Sequence, residues 1–96
     1  MPEDSKAGRP ALVIRSDALA MTSWVATLPF TTDRDAGMPH WVQVEPTPEN
    51  GLLRPSWVMV DVPQTVRTSR IDRVIGALDG PTLSQVTAHL AAALGV

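Results

Sequence analysis

"HWVQVEPTPENGLLRPSWVMVDV", residues 40–62, is the stretch that decides the architecture. Its first part sets Val42 and Val44 against Trp41, Gln43 and Glu45, and its last sets Val58 and Val60 against Trp57, Met59 and Asp61. That period of two is the signature of a strand with one face in a core. Between them, "TPENGLLRPS" (Thr47–Ser56) holds two prolines and the Asn50-Gly51 turn signal, so the chain must loop there. The reading is two short strands, His40–Pro46 and Trp57–Val62, joined by a structured loop.

The same logic extends outward. "TSWVATLPF" (Thr22–Phe30) reads as another strand, with Trp24, Ala26 and Leu28 on one side, Val25 and Thr27 on the other, and Pro29 near its end. "TTDRDAGMP" (Thr31–Pro39) is a polar loop with a charged tip. "ALVIRSD" begins with a β-branched apolar run that suits a buried strand. Pro10 stands at its first position, where a missing N–H does least harm. Ser16-Asp17 opens a turn, and "ALAM" is left open as a helical turn. On the C-terminal side "PQTVRTSR" reads as a turn and "IDRVIGALD" (Ile71–Asp79) as a fifth strand with Gly76 near its end. The tail then changes period: Leu83, Val86, Leu90, Ala93 and Leu94 recur at helical spacing and form one apolar stripe. Asp79 is its expected N-cap, Pro81 sits in the first turn and Gly95 is the stop. The three tryptophans are expected mainly in the core. Residues 1–8 carry no periodicity and are read as a loop or frayed start, with residues 9–96 as a single domain. The economical architecture is a small antiparallel barrel or bent sheet with a C-terminal helix packed on it.

Composition narrows the chemistry. The chain has 96 residues and no cysteine, so disulfides and thiolate metal sites are excluded. The two histidines, His40 and His89, show no zinc spacing; His40 is read as a surface residue and His89 as lying on the helix's polar face. No apolar run reaches the roughly 18 residues of a membrane span, and the N-terminus lacks a signal-peptide layout, which leaves a cytoplasmic protein as the expectation. The net charge of −2 argues against nonspecific nucleic-acid binding. Yet seven of the eight basic residues are arginine, and Arg54, Arg67, Arg70 and Arg73 fall close together. That cluster reads either as a positive face or as solvated strand edges.

The ordered landmarks "GRPALVIRSD", "LPFTTD" and "ENGL…PS.VMVD…RI.RVIG.L", followed by a capped helix ending in "ALGV", resemble the MazF/PemK family of toxin–antitoxin ribonucleases over residues 8–96. The resemblance implies a mainly β, SH3-like barrel (CcdB/PemK-like) of about five antiparallel strands with a C-terminal amphipathic helix, usually as a homodimer. It implies cleavage of single-stranded mRNA at short sequences, without a metal or other cofactor, by attack of the 2′-hydroxyl on its own phosphodiester. The products would carry a 2′,3′-cyclic phosphate and a 5′-hydroxyl, and a cognate antitoxin would silence the enzyme. Members of the family begin with a further strand before the Arg-Pro pair. That strand is missing here, and three accounts fit: an upstream start, which we expect, a decayed remnant, or pairing supplied by a partner chain.

The chemistry assigns candidate roles. Arg9 matches the family's arginine, and a guanidinium keeps its charge and offers several donors to phosphate oxygens; read without the resemblance, it is rather an exposed cap on a strand entrance. Thr31 matches the family's threonine near the scissile phosphate, acting by hydrogen bonding or water orientation because a hydroxyl is a poor acid; otherwise it ends a strand. Thr32 is the off-by-one alternative. Asp61 matches a carboxylate that one branch pairs with an arginine two residues earlier, where this chain has Met59, so Asp61 either contacts RNA or accepts a structural hydrogen bond. Arg67 and Arg70 flank a turn and either bind substrate phosphates or are solvated. Readings from other classes are a CcdB-like protein that poisons gyrase through its C-terminal segment, and an inactive remnant that binds an antitoxin.

Overall fold

A computed structural model describes residues 9–14, 23–33 and 39–95. The expected loop at residues 1–8, the turn at Ser16-Asp17, the "ALAM" segment and the charged loop tip lie outside the described residues. Five strands form a curled antiparallel sheet: β1 (Ala11–Ile14), β2 (Trp24–Thr31), β3 (Val42–Val44), β4 (Ser56–Val58) and β5 (Gln64–Arg67). A 3₁₀ turn (Thr68–Arg70) and a C-terminal helix, α1 (Gly80–Leu94), follow.

β2 is the long strand, and both of its edges are used. β1 pairs with it from Ala11↔Pro29 to Ile14↔Ala26. On the opposite edge its first half pairs with β5, from Trp24↔Arg67 to Thr27↔Gln64, and its end with β4 at Phe30↔Val58 and Thr31↔Trp57. β3 then pairs β4, completing the path β1-β2-β4-β3. Pro10 extends the first ladder without an N–H, because its carbonyl accepts from Phe30 N at 3.3 Å.

The core is aliphatic. Leu28, Val42, Val44, Leu52, Val58, Val60 and Val86 form one buried cluster, with Leu12, Ile14, Phe30, Leu78 and Leu90 packed against it. The tryptophans expected there are not: Trp24 is 48% exposed, while Trp41 and Trp57 are half-buried. The narrow space inside a curled five-stranded sheet is filled by valine and leucine, and the rings lie outside it. β1 is also less enclosed than its composition suggests, since Ala11 and Val13 are exposed and Leu12 and Ile14 half-buried.

The fifth strand lies elsewhere than expected. Gln64–Arg67, read as a turn, is a strand because β2 offers it an edge; its sequence is largely polar because only Val66 is even half-buried. Tertiary pairing overrides composition here. Ile71–Asp79 is not a strand. Val74 is 84% exposed, and the segment instead lies backbone against backbone on the β3–β4 loop, with Ala77 N donating to Glu49 O at 2.9 Å.

That loop is rigid. The buried Asn50 accepts at Oδ1 from Thr47 N (3.0 Å) and Leu52 N (2.9 Å), and donates from Nδ2 to Glu45 O (2.8 Å). Gly51 follows with φ +69°, and a Cβ there would strike the Ile75 carbonyl. In α1, Asp79 caps the N-terminus through Thr82 N (3.0 Å), and Gly95 closes the other end in the left-handed conformation. The buried stripe is narrower than the expected one: Val86 is buried and Leu90 half-buried, while Leu83, Ala93 and Leu94 face outward.

Gly51→Ala should cost at least about 2 kcal/mol from strain and collision together. In thermal denaturation that appears as a fall in Tm of roughly 10 °C. Gly80→Ala, where a Cβ meets nothing within 4 Å, should leave Tm unchanged or slightly higher.

Candidate active site

Three strand termini build one concavity. Arg9 and Pro10 lead into β1; Phe30, Thr31, Thr32 and Asp33 end β2; Ser56 opens β4. Together they line a cleft of about 430 Å³. The antiparallel pairing explains the meeting: the start of β1 must lie beside the end of β2, and the Phe30–Pro10 hydrogen bond fixes how closely. Arg9 is exposed and Thr31 half-buried. Thr31 Oγ1 accepts from Asp33 N at 3.1 Å, which occupies the oxygen as an acceptor and leaves its proton to be donated into the cleft. Ser56 is buried, and its hydroxyl donates to Arg54 O at 2.9 Å. The cleft therefore offers a fixed cation, hydroxyl donors and one carboxylate, Asp33, among the described lining residues. This combination suits a phosphodiester. Sequence reading did not single out Asp33 or Ser56; the only signal was their adjacency to Thr32 and Pro55.

Thr32 also lines a neighbouring hollow of about 350 Å³, with Gln43, Glu45, Arg54, Pro55 and Trp57. The other candidate residues lie apart from both. Arg67 stacks over Trp24, its cross-strand partner, with the guanidinium carbon 4.5 Å from the ring centroid. Arg70 ends the 3₁₀ turn, exposed.

Asp61 is engaged in a polar cluster. Its Oδ1 accepts from Trp41 Nε1 at 2.7 Å. Its Oδ2 lies 3.0 Å from His40 Nε2, a close contact without the alignment of a good hydrogen bond. His40 and Trp41 together hold the Asp61 carboxyl below its usual range, His40 contributing most. His89, expected on the polar face of the helix, is half-buried. Its Nδ1 lies 2.7 Å from His40 O, and because a carbonyl only accepts, Nδ1 carries the proton. His40 is likewise half-buried, so both histidines tie elements together. Their separation of 49 positions in the chain gave no hint of this. Among the described residues, no group of three or more His, Asp or Glu side chains is placed to hold a metal ion, and no helix is long and apolar enough to cross a membrane.

A curled antiparallel sheet with an arginine and threonine hydroxyls at one cleft defines a small β protein of the barrel type. The family is shown by sequence: a model of the PemK-like, MazF-like toxins of type II toxin–antitoxin systems matches residues 2–94, and the chain belongs to that family. It is 35% identical over 89 residues to a probable endoribonuclease MazF of Mycolicibacterium smegmatis, covering 92% of this chain and 81% of that one. Among solved structures it is similar to the Mycobacterium tuberculosis toxin MazF-mt6, with a TM-score of 0.80 at 27% identity over 92% of this chain and 87% of that chain. An endoribonuclease in complex with its cognate antitoxin, from a mycobacterial species, superimposes with a TM-score of 0.79 at 26% identity, covering 92% and 82%.

The lowered Asp61 pKa sets an acid dependence. A depressed carboxyl contributes stability that is full above the ordinary value of 3.8 and lost as pH falls through the folded value. Asp61→Asn should therefore melt a few degrees below the unsubstituted protein at pH 6. The gap should close below about pH 4 in melts run across that range.

Proposed function

We propose that this chain is the toxin of a type II toxin–antitoxin pair, a sequence-selective endoribonuclease that cuts single-stranded mRNA without a metal and leaves 2′,3′-cyclic phosphate and 5′-hydroxyl ends. The observation that carries the proposal is the convergence of Arg9, Thr31 and Thr32 on one cleft. In this reading the phosphate docks against Arg9, whose donors neutralise charge that builds on the non-bridging oxygens as the 2′-oxygen attacks. The bond from the 2′-oxygen to phosphorus forms while the bond to the 5′-oxygen breaks. Asp33 takes the 2′-hydroxyl proton. Thr31, its oxygen already held by Asp33 N, orients the water that protonates the departing 5′-oxygen, and the hydroxide left behind takes up the proton held by Asp33. Asp61, Arg67 and Arg70 lie outside this cleft and take no part in the bond-breaking step. Arg67 and Arg70 remain available to an RNA strand that runs beyond it.

Family membership and the mycobacterial relative with its cognate antitoxin support an antitoxin as the regulating partner. A second copy of the chain and a cytoplasmic site of action complete the reading.

Purified protein incubated with a long single-stranded RNA in excess chelator should yield discrete fragments ending in cyclic phosphate. Arg9→Ala should lower kcat/KM by roughly 100- to 1,000-fold, and Thr31→Val by at least about tenfold. Equal cleavage by Arg9→Ala would remove the arginine from the mechanism.

A further inference from the structure

Next to the cleft the outer face of the sheet carries an aromatic residue among polar neighbours. Val42, Val44, Ser56 and Val58 are buried, so the residues alternating with them on β3 and β4, Gln43 and Trp57, point away from the core. Trp57 is paired directly with Thr31 on one side and Gln43 on the other. Thr31, Trp57 and Gln43 therefore form one row across three strands, spaced by about 5 Å each. Trp57 is one strand from the hydroxyl assigned to the scissile phosphate, and Thr32 lines both hollows.

Around Trp57 one side-chain pair is joined and two backbones are pinned. Gln43 Nε2 donates to Glu45 Oε2 at 3.0 Å, which sets the amide orientation and leaves the Gln43 carbonyl and Glu45 Oε1 as acceptors. The Glu45 backbone is pinned by Asn50 Nδ2, and the Arg54 backbone by Ser56 Oγ. The hollow thus presents an aromatic wall, a row of acceptors and one guanidinium.

Resting on the ribonuclease reading above, we propose that this second hollow seats the base of a nucleotide flanking the cut bond, stacked on Trp57, and that Glu45 and Arg54 select guanine there. Guanine alone among the four bases has two adjacent N–H donors beside an acceptor on its pairing edge. A carboxylate accepts from those donors while a guanidinium donates to the oxygen. Uracil offers one such donor, and the pairing edges of adenine and cytosine offer only an exocyclic amine. Stacking supplies affinity for any base; Glu45 supplies the choice, because an analogue lacking the donors leaves a polar group unpaired.

The test is to sequence the ends released from a random-sequence RNA pool by the unsubstituted protein, Glu45→Gln and Trp57→Ala, each verified as folded by a cooperative melt. The proposal expects guanine at one position beside the cut, loss of that preference alone in Glu45→Gln, and a rise of roughly ten- to a hundredfold in KM on all sequences in Trp57→Ala. A motif without guanine next to the cut, or one unchanged in Glu45→Gln, overturns it while leaving the ribonuclease reading intact. A non-cleavable 2′-deoxy oligonucleotide pair, with and without guanine, is bound in parallel. Guanine-dependent binding that requires Glu45, in a protein that cuts no RNA, would sink the ribonuclease reading and keep the base site. Loss of antitoxin binding in Trp57→Ala, with motif and RNA affinity unchanged, would give this face to the protein partner and overturn the proposal.

Discussion

The double-edged hydrogen bonding of β2 is the constraint on which everything else rests. One edge holds β1 and so carries Arg9 to the end of the strand; the other holds β5 and then β4, which brings Ser56 and Trp57 to the same end. The register is as important as the pairing. A slip of one residue would turn Thr31 inward and Phe30 outward, losing the hydroxyl from the cleft and an apolar side chain from the core together. The same ladder that stabilises the sheet therefore also aims the candidate chemistry.

Much of this was legible in the chain. Alternation located β2, β3 and β4, the Asn50-Gly51 signal located the stapled loop, and Asp79, Pro81 and Gly95 bounded the helix. The ordered landmarks led to Arg9 and Thr31 on one cleft. What was not legible depends on partners distant in sequence. Gln64–Arg67 has the composition of a turn and becomes a strand only because β2 has a vacant edge. Ile71–Asp79 has the composition of a strand but meets the backbone of the β3–β4 loop, where Gly76 allows an approach that a Cβ would block through Glu49 and Asn50. The tryptophans depart from expectation for a related reason: this small curled sheet closes on branched aliphatic side chains with Phe30 against them, and its indole rings lie outside that cluster.

Asp61 shows how a residue type can persist while its use changes. With Met59 two positions before it, no arginine is present there to form a charge pair, and the carboxylate instead gathers Trp41 and His40. Through the His40 carbonyl and His89 the same cluster reaches α1. It works as a polar rivet between the start of β3, the turn after β4 and the helix.

α1 satisfies its own termini, through Asp79 at one end and Gly95 at the other, yet sinks only Val86 fully into the body of the protein. An element capped at both ends and joined by few buried side chains opens at lower free energy than the whole domain melts. Backbone amides of the helix will accordingly trade protons with solvent sooner than those of β2, which are locked from two sides. The molecule thus has two levels of cohesion, a sheet locked through both edges of its long strand and a helix joined to it by Val86, Leu90 and His89.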